Sequence, residues 1–226
     1  MYIEDQYLWS PEVASSIAKA LVRNRELQVI VVVPRYPDQD DTLAGPPSRL
    51  GQQRAIAKLR RAGADRVGVF DLENRDGTPI YVHAKICVVD DTWATCGSDN
   101  FNRRSWTTDS ELTCAVFDTS RDEADASAGG FARGLRRQLW AEHLGLAPDD
   151  PRLEDSRDAL ALWKDTAHAL DRWHANGGDT PRPPGQIRPH RVERITRLQS
   201  LWSDPLYRVL LDPDSRPRRL RGTSIF

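Results

Sequence analysis

The sequence has few cysteines, few lysines and no long apolar run. Its three cysteines, Cys87, Cys96 and Cys114, are an odd number in a chain of 226 residues, so small buried thiols are expected rather than a disulfide framework. No apolar run approaches the ~20 residues of a membrane span. No basic segment followed by an apolar stretch marks a secretion signal. We therefore expect a protein of the cytoplasm or of the membrane periphery.

Basic residues are not clustered as densely as they are in nucleic-acid binders. Counted on the sequence, residues 1–150 carry 18 basic and 23 acidic side chains, and residues 151–226 carry 14 and 10. Affinity for nucleic acid depends on neutralising phosphates with Lys and Arg, so no nucleic-acid partner is expected. Only four of the 32 basic residues are lysines, which makes a lysine at a chosen position, such as Lys85, informative.

The order of the predicted elements is typical of an α/β sandwich, in which helices flank a mixed β-sheet. Apolar runs between turn signals predict strands at "LQVIVVVP", "RVGVFDL" and "ELTCAVFD", and a strand pair over 81–89 and 93–97. Capping residues and apolar periodicity predict helices over 11–24, 49–62 and 124–144. These elements form a predicted domain of residues 1–147.

Residues 148–226 differ in composition and are predicted to form a helical C-terminal extension. A helix is expected over 152–175, followed by a Gly/Pro-rich linker, "NGGDTPRPPGQIRP". A short amphipathic helix over 192–202 and an Arg-rich end complete the chain. The Arg-rich end is either a solvated face or a contact with an anionic membrane surface.

A candidate site lies in the stretch "YVHAKICVVDDTWATCGSDNFNRRSW". Residues two apart on a strand face the same side, so His83 is predicted beside Lys85. An ammonium next to an imidazole suits an anionic substrate such as a phosphate. Asp90 is an odd number of residues from His83 and Lys85, so on a regular strand it would face the opposite side, and we expect a structural role for it. Glu111 opens the next strand, and a carboxylate there is the better candidate for orienting the imidazole.

Two further stretches bring polar groups to the same region. Ser98 and Asn100 supply neutral donors in a Gly-Ser-x-Asn turn that closes the neighbouring strand. Glu4, Asp5 and Gln6 end the first strand, either as groups at the edge of the site or as a solvated strand end.

"HAKICVVD" together with "GSDNFNRRS" resembles the H-x-K-x4-D and G-S-x-N-x3-R-S signature of the phospholipase D superfamily. "YIEDQY" is similar to a motif in the second half of members that carry two such signatures. The resemblance covers about residues 1–147 and implies the phospholipase D-like sandwich. It implies a catalytic set of His83, Lys85, Asp90 and Glu111. It implies phosphate ligands at Lys85, Ser98 and Asn100, and site-edge groups at Glu4, Gln6 and Arg104.

The resemblance also implies a chemistry that needs no metal and no other cofactor. The activity would be that of a phosphodiesterase or phosphatidyltransferase, which cleaves or exchanges phospholipid head groups through a phosphohistidine. The chain carries one H-x-K motif, however, where two-motif members carry two. The expected partner is therefore a second copy of the chain or a complementing N-terminal half. The alternatives are a non-catalytic or complementation-dependent half-domain of a split or truncated enzyme, and a nuclease of the same fold.

Overall fold

The computed structural model describes residues 1–36, 45–118, 130–156, 158–192 and 195–221. It contains eight strands in one mixed sheet. The strands are β1 (Tyr2–Asp5), β2 (Val29–Val32), β3 (Val67–Glu73), β4 (Pro79–Ile80), β5 (Lys85–Val89), β6 (Trp93–Gly97), β7 (Thr113–Phe117) and β8 (Ile187–Pro189). The helices are α1 (Pro11–Arg23), α2 (Gly45–Gly63), α3 (Phe131–Leu144), α4 (Ala159–Ala175) and α5 (Arg197–Leu206).

The strand order along the sheet is β4-β3-β2-β1-β5-β6-β7, and β8 also pairs with β3. Strands β1, β2 and β3 run parallel, whereas β5 runs antiparallel to β1, with Asp5 opposite Lys85. Strands β6 and β7 continue the antiparallel order. The carboxyl ends of β1 and β6 therefore lie beside the amino ends of β5 and β7. We call this side of the sheet, formed by the ends of the strands, the site edge.

Alternating side chains of the sheet enter two separate apolar cores. Tyr2 and Val32 belong to the core that also contains residues of α3 and α4. Ile3 and Val31 belong to the opposite core, with residues of α1 and α2. Because residues two apart on a strand share a face, helices cover both sides of the central strands. The predicted mixed sheet flanked by helices is confirmed.

Three predicted helices begin at other residues than expected. Helix α2 begins at Gly45 rather than Arg49, since its two prolines lie in the first turn, where proline is tolerated. Helix α3 begins at Phe131, and the earlier predicted turns fall on 119–129, outside the described residues. The helix predicted from Arg152 is divided: Pro151–Leu153 forms a 3₁₀ turn, and α4 begins at Ala159.

The residues after 147 take part in the same sheet and core. The predicted linker over 176–189 contains β8, which pairs antiparallel with β3, so the linker prediction was wrong for these three residues. Trp163 of α4 is fully buried and contacts the rings of Tyr2 and Phe70. Helix α5 begins five residues later than predicted, ends four residues later, and continues as a π-helical turn, Tyr207–Leu211. Within the described ranges, no helix is long and apolar enough to cross a bilayer.

Candidate active site

His83 lies just before β5 rather than inside it. The predicted strand over 81–89 is shorter in the structure, where β5 begins at Lys85. The prediction that His83 and Lys85 face the same side of one strand was therefore wrong. The two residues are nevertheless adjacent, because the Lys85 ammonium donates a 2.9 Å hydrogen bond to the His83 carbonyl oxygen. The His83 side chain is exposed. Among the described residues, its imidazole makes no hydrogen bond to protein.

Gln6 connects the groups around the imidazole. Its Oε1 accepts a 3.0 Å hydrogen bond from Lys85 Nζ, and its Nε2 donates a 2.6 Å bond to the Tyr81 hydroxyl. The Tyr81 ring stacks on the His83 ring, with centroids 6.2 Å apart and planes 27° apart. Gln6 is buried, so this predicted edge residue lies inside the site and links the ammonium to the ring beside His83.

Lys85 lies between two carboxylates. Partial burial lowers the pKa of its ammonium, while Asp5 and Glu111 oppose that change. Lys85 also lies directly opposite Asp5 in the pairing of β5 with β1. A cation held in this way at the site edge can meet the charge of a phosphate without a metal ion.

Asp5 is a buried carboxylate that fixes the loop carrying Asn100. It accepts hydrogen bonds from the backbone N–H groups of Tyr7, Leu8 and Phe101, at 2.8, 2.6 and 2.8 Å. Burial raises the pKa of Asp5 to about 6, against the effect of these donors and of Lys85. Through these three hydrogen bonds, Asp5 connects the end of β1 to the Gly-Ser-x-Asn turn. It is therefore not part of a solvated strand end.

Glu4 belongs to a different environment on the opposite face of β1. Its Oε1 accepts hydrogen bonds from Tyr2, at 2.5 Å, and from His143 Nε2, at 2.9 Å. All three side chains are buried. Because successive residues of a strand face opposite sides, Glu4 points away from Asp5 and Lys85. The structure therefore removes Glu4 from the predicted site edge.

Glu111 contacts Ser98 rather than the imidazole. The Ser98 hydroxyl donates a 2.5 Å hydrogen bond to Glu111 Oε2 and accepts a 3.0 Å bond from the Leu112 N–H. Glu111 makes no hydrogen bond to His83 in the described structure. The prediction that Glu111 orients His83 does not agree with this geometry. Through Ser98, Glu111 instead holds a predicted phosphate ligand.

Asn100 faces a small cavity of about 120 Å³, which Tyr7, Trp9, Arg104 and Leu211 also line. Its backbone oxygen accepts a bond from the indole N–H of Trp106. Its side-chain Oδ1 is buried and has no partner within the described part of the chain. The predicted site-edge cation of Arg104 is paired with Asp109 at 3.0 Å. Asn100 thus retains a polar group that a ligand could satisfy.

Asp90 lies at the other end of β5. Asp90 and Asp91 form the turn to β6 with φ values of 51° and 57°, in the left-handed region where Asp is tolerated. Asp91 pairs with Arg136 at 2.5 Å. Asp90 lies five positions after Lys85, the first residue of β5, which is roughly 16 Å along a strand. The structure therefore supports the structural role expected from strand parity and not the catalytic role implied by the signature.

Three of the other four histidines are engaged elsewhere. His143 bonds Glu4, His174 bonds Glu73 at 2.5 Å, and His190 contacts Asp71 at 3.2 Å. Among the described residues, these three imidazoles are therefore held by carboxylates and do not join His83, and His168 is exposed on α4.

Residues 1–132 match the family described as "Cardiolipin synthase, PLD-like domain". The chain belongs to the phospholipase D superfamily. The family match contains β1 and the whole stretch from His83 to Glu111, so the residues of the site lie within the shared region.

Curated relatives are phospholipases D of much greater length. Phospholipase D alpha 1 of Spuriopimpinella brachycarpa is 39% identical over 83 residues, which cover 36% of this chain and 10% of that protein. Phospholipase D C of Dictyostelium discoideum is 33% identical over 179 residues, which cover 65% of this chain and 10% of that protein. The chain thus spans about a tenth of the length of these relatives.

Solved structures that align with part of the chain include Nuc of Salmonella typhimurium, described as a phospholipase D family member. Its identity is 16% and its TM-score 0.37, over 51% of this chain and 64% of that one. The phosphatidylserine synthase of Haemophilus influenzae has 20% identity and a TM-score of 0.41, over 56% of this chain and 30% of that one.

Proposed function

We propose that the protein is a phosphodiesterase of the phospholipase D type that acts on phospholipids, with His83 as nucleophile. The observation that carries this proposal is the arrangement around the imidazole. His83 is exposed and stacked on Tyr81, while Gln6 fixes Lys85 directly beside it. The acidic balance of residues 1–150 and the names of the relatives favour a lipid over a nucleic acid as substrate.

In the proposed first step, a ring nitrogen of His83 attacks phosphorus, and the bond from phosphorus to the head-group oxygen breaks. Lys85 neutralises the phosphate charge, and the side-chain N–H group of Asn100 donates a hydrogen bond to a phosphate oxygen. Ser98 has a single hydroxyl proton, which is directed to Glu111 in the structure. Ser98 therefore contributes a hydrogen bond to phosphate only when that proton turns away from Glu111.

In the second step, water or another alcohol attacks the phosphohistidine. The bond from His83 to phosphorus breaks, and phosphatidic acid or an exchanged phospholipid leaves. Each step needs a proton donor or acceptor on the side of phosphorus opposite His83. The chain has no second H-x-K motif, so the missing imidazole is proposed to come from a second copy of the chain or from a complementing N-terminal half.

Turnover of phosphatidylcholine labelled in its head group tests the proposal. The wild-type chain should release labelled choline, and with ethanol present it should form phosphatidylethanol. His83→Ala should abolish both products. His168→Ala provides the matched control, because His168 is an exposed imidazole on α4. Equal turnover by the His83→Ala chain would refute the assigned nucleophile.

The same preparation separates the alternative functions. Cleavage of DNA without any turnover of lipid would identify a nuclease. Absence of lipid turnover at every protein concentration, with the fold intact by circular dichroism, would identify a half-domain that needs another chain.

A further inference from the structure

The last described segment of the chain, residues 197–221, carries large apolar side chains on its surface. Leu198 is 77% exposed, Leu201 is 74% exposed, Val209 is 67% exposed and Leu210 is 63% exposed. Isolated exposed leucines are ordinary on protein surfaces, but four such side chains within 13 residues form a patch that needs an explanation.

The exposed apolar residues follow the turns of the helix. Leu198, Leu201, Pro205 and Val209 are spaced three or four residues apart, so they form a stripe on one side of α5 and of the π-helical turn. Pro205 is exposed as well. The stripe is therefore a continuous outer surface and not a set of unrelated positions.

The opposite side of the segment packs against the protein. Ser203 and Tyr207 are buried, and the Tyr207 ring lies so close to Gly51 of α2 that an added Cβ would meet it at 2.7 Å. The segment is thus anchored by its inner side, and its apolar stripe remains directed to the surroundings. Burial in the core of the chain does not account for the stripe.

Arginines accompany the apolar stripe. Residues 197–221 contain six arginines and three aspartates, a net charge of +3, whereas residues 1–150 carry −5. Arg208, Arg218, Arg219 and Arg221 are exposed, and Arg208 also pairs with Asp204 at 3.1 Å. A segment that combines an exposed apolar stripe with exposed arginines suits the interface of a bilayer, where apolar side chains enter the acyl boundary and arginines meet anionic head groups.

The segment is also attached to the site edge. Asp212 accepts hydrogen bonds from the backbone N–H groups of Arg103 and Arg104, at 2.5 and 2.9 Å. Leu211 lines the same small cavity as Asn100. A bilayer that covered the stripe would therefore lie close to the loop that carries a proposed phosphate ligand.

We propose that residues 197–221 form a docking surface for an anionic lipid bilayer. Docking through this surface would bring the site edge to the head groups. This role in catalysis rests on the proposed function, whereas the binding of the segment to vesicles does not depend on it. The occupant is a lipid surface rather than a protein because the segment that carries the apolar stripe also carries exposed arginines, whose charge matches anionic head groups.

Co-sedimentation with lipid vesicles tests the docking surface. The wild-type chain should bind vesicles of phosphatidylcholine with about 30% phosphatidylglycerol, because anionic head groups attract the exposed arginines. Its binding to pure phosphatidylcholine should be weaker. The triple substitution Leu198→Ser, Leu201→Ser and Val209→Ser should weaken binding ~10-fold or more, because it removes three apolar side chains from the bilayer interface. Val22→Ser is the matched control, since Val22 on α1 is 61% exposed and lies outside the stripe.

Three outcomes would overturn the docking surface: no binding to anionic vesicles, unchanged binding by the triple variant, or equal loss with Val22→Ser. A larger species in solution that the triple variant dissociates, without any vesicle binding, would identify a protein interface instead. Turnover of a short-chain phospholipid below its critical micelle concentration separates the two proposals. The triple variant should retain this turnover. If the wild-type chain lacks this turnover, the result counts against the proposed function and not against the docking surface.

Discussion

The Ser98 hydroxyl has one proton, which it donates either to Glu111, as in the structure, or to a bound phosphate. The 2.5 Å hydrogen bond between the two residues connects Glu111 to one proposed phosphate ligand, and Glu111 also acts electrostatically on a second one, Lys85. A hydrogen bond to a charged partner contributes ~1.5–3 kcal/mol. We therefore propose that Glu111 is a positioning residue that acts mainly through Ser98.

A double-mutant cycle tests this pair. Glu111→Gln and Ser98→Ala should each lower kcat/KM ~10-fold or more, in line with the loss of a charge-assisted hydrogen bond. The double variant should be no slower than the slower single variant, because both changes remove the same interaction. Multiplicative losses in lipid turnover would instead show that Glu111 acts independently of Ser98. Thermal melts of all three variants check that the fold is retained.

Asp5 gives the protein a predictable response to pH. Burial raises its folded-state pKa from 3.8 to about 6. Between these values the folded state binds the proton more tightly than the unfolded state does. The stability contributed by this group is therefore fully present below about pH 4 and is lost as the pH rises through about 6.

Urea unfolding of wild type and Asp5→Asn between pH 4 and pH 7 measures this effect. The free energy of unfolding of wild type relative to Asp5→Asn should decrease as the pH rises, by up to ~3 kcal/mol for a shift of this size. Other carboxyl groups cancel in the difference. A difference that stays constant or increases with pH would contradict the raised pKa of Asp5.

At the scale of residues, the sequence allows candidate site residues to be chosen, but it does not predict how their side chains are oriented. A rare lysine beside a histidine, followed by Gly-Ser-x-Asn, was enough to select His83, Lys85, Ser98 and Asn100. Gln6 was selected only as an edge group, since its bridge from Lys85 to Tyr81 joins residues 75 or more positions apart. No local pattern specifies that contact.

Strands β6 and β7 place two cysteines opposite one another. Cys96 pairs with Cys114 in the register of the sheet, and both are exposed, whereas Cys87 is buried. The prediction of three buried thiols was thus wrong for two of them. It failed because β7 is the last strand of the sheet and its side chains are mostly exposed.

The register makes a sharp prediction for the reduced protein. Residues opposite each other in an antiparallel pair have Cα atoms about 4.5–5.5 Å apart, within the usual disulfide range of about 4.4–6.8 Å. Diamide should oxidise the two thiols to an intrachain disulfide, taking two electrons and two protons and lowering the mass by two hydrogens. Cys96→Ser should prevent the mass change. Purely intermolecular cross-linking in wild type would contradict the register.

Among the elements, those with a strong apolar period were predicted well, and the others were set by tertiary contacts. Strand β6 and helix α1 follow their predicted bounds because turn and capping residues mark both ends. Strand β8 was missed since a three-residue strand inside a Gly/Pro-rich stretch has no period of its own. It forms because β3 offers an edge for pairing.

At the scale of the whole molecule, the single H-x-K motif limits what one chain can do. In the proposed mechanism, His83 cannot protonate the leaving oxygen once it is bonded to phosphorus, so that mechanism needs a second acid on the opposite side. A two-fold axis brings the same residue of two copies together, and His83 of each copy could then serve in both roles. The exposed position of His83 is compatible with such a shared site.

A self-paired site should be weak without substrate, because two Lys85 ammonium groups approach each other until a phosphate lies between them. We expect dimerisation that tightens with phosphate or vanadate in analytical ultracentrifugation, and turnover that rises more steeply than linearly with protein concentration. In an equal mixture with His83→Ala chains, roughly a quarter of randomly formed dimers keep both imidazoles. Activity should then fall to about that fraction of an equal mixture with His168→Ala chains. If dilute monomer keeps full specific activity, one chain suffices and the shared site is wrong.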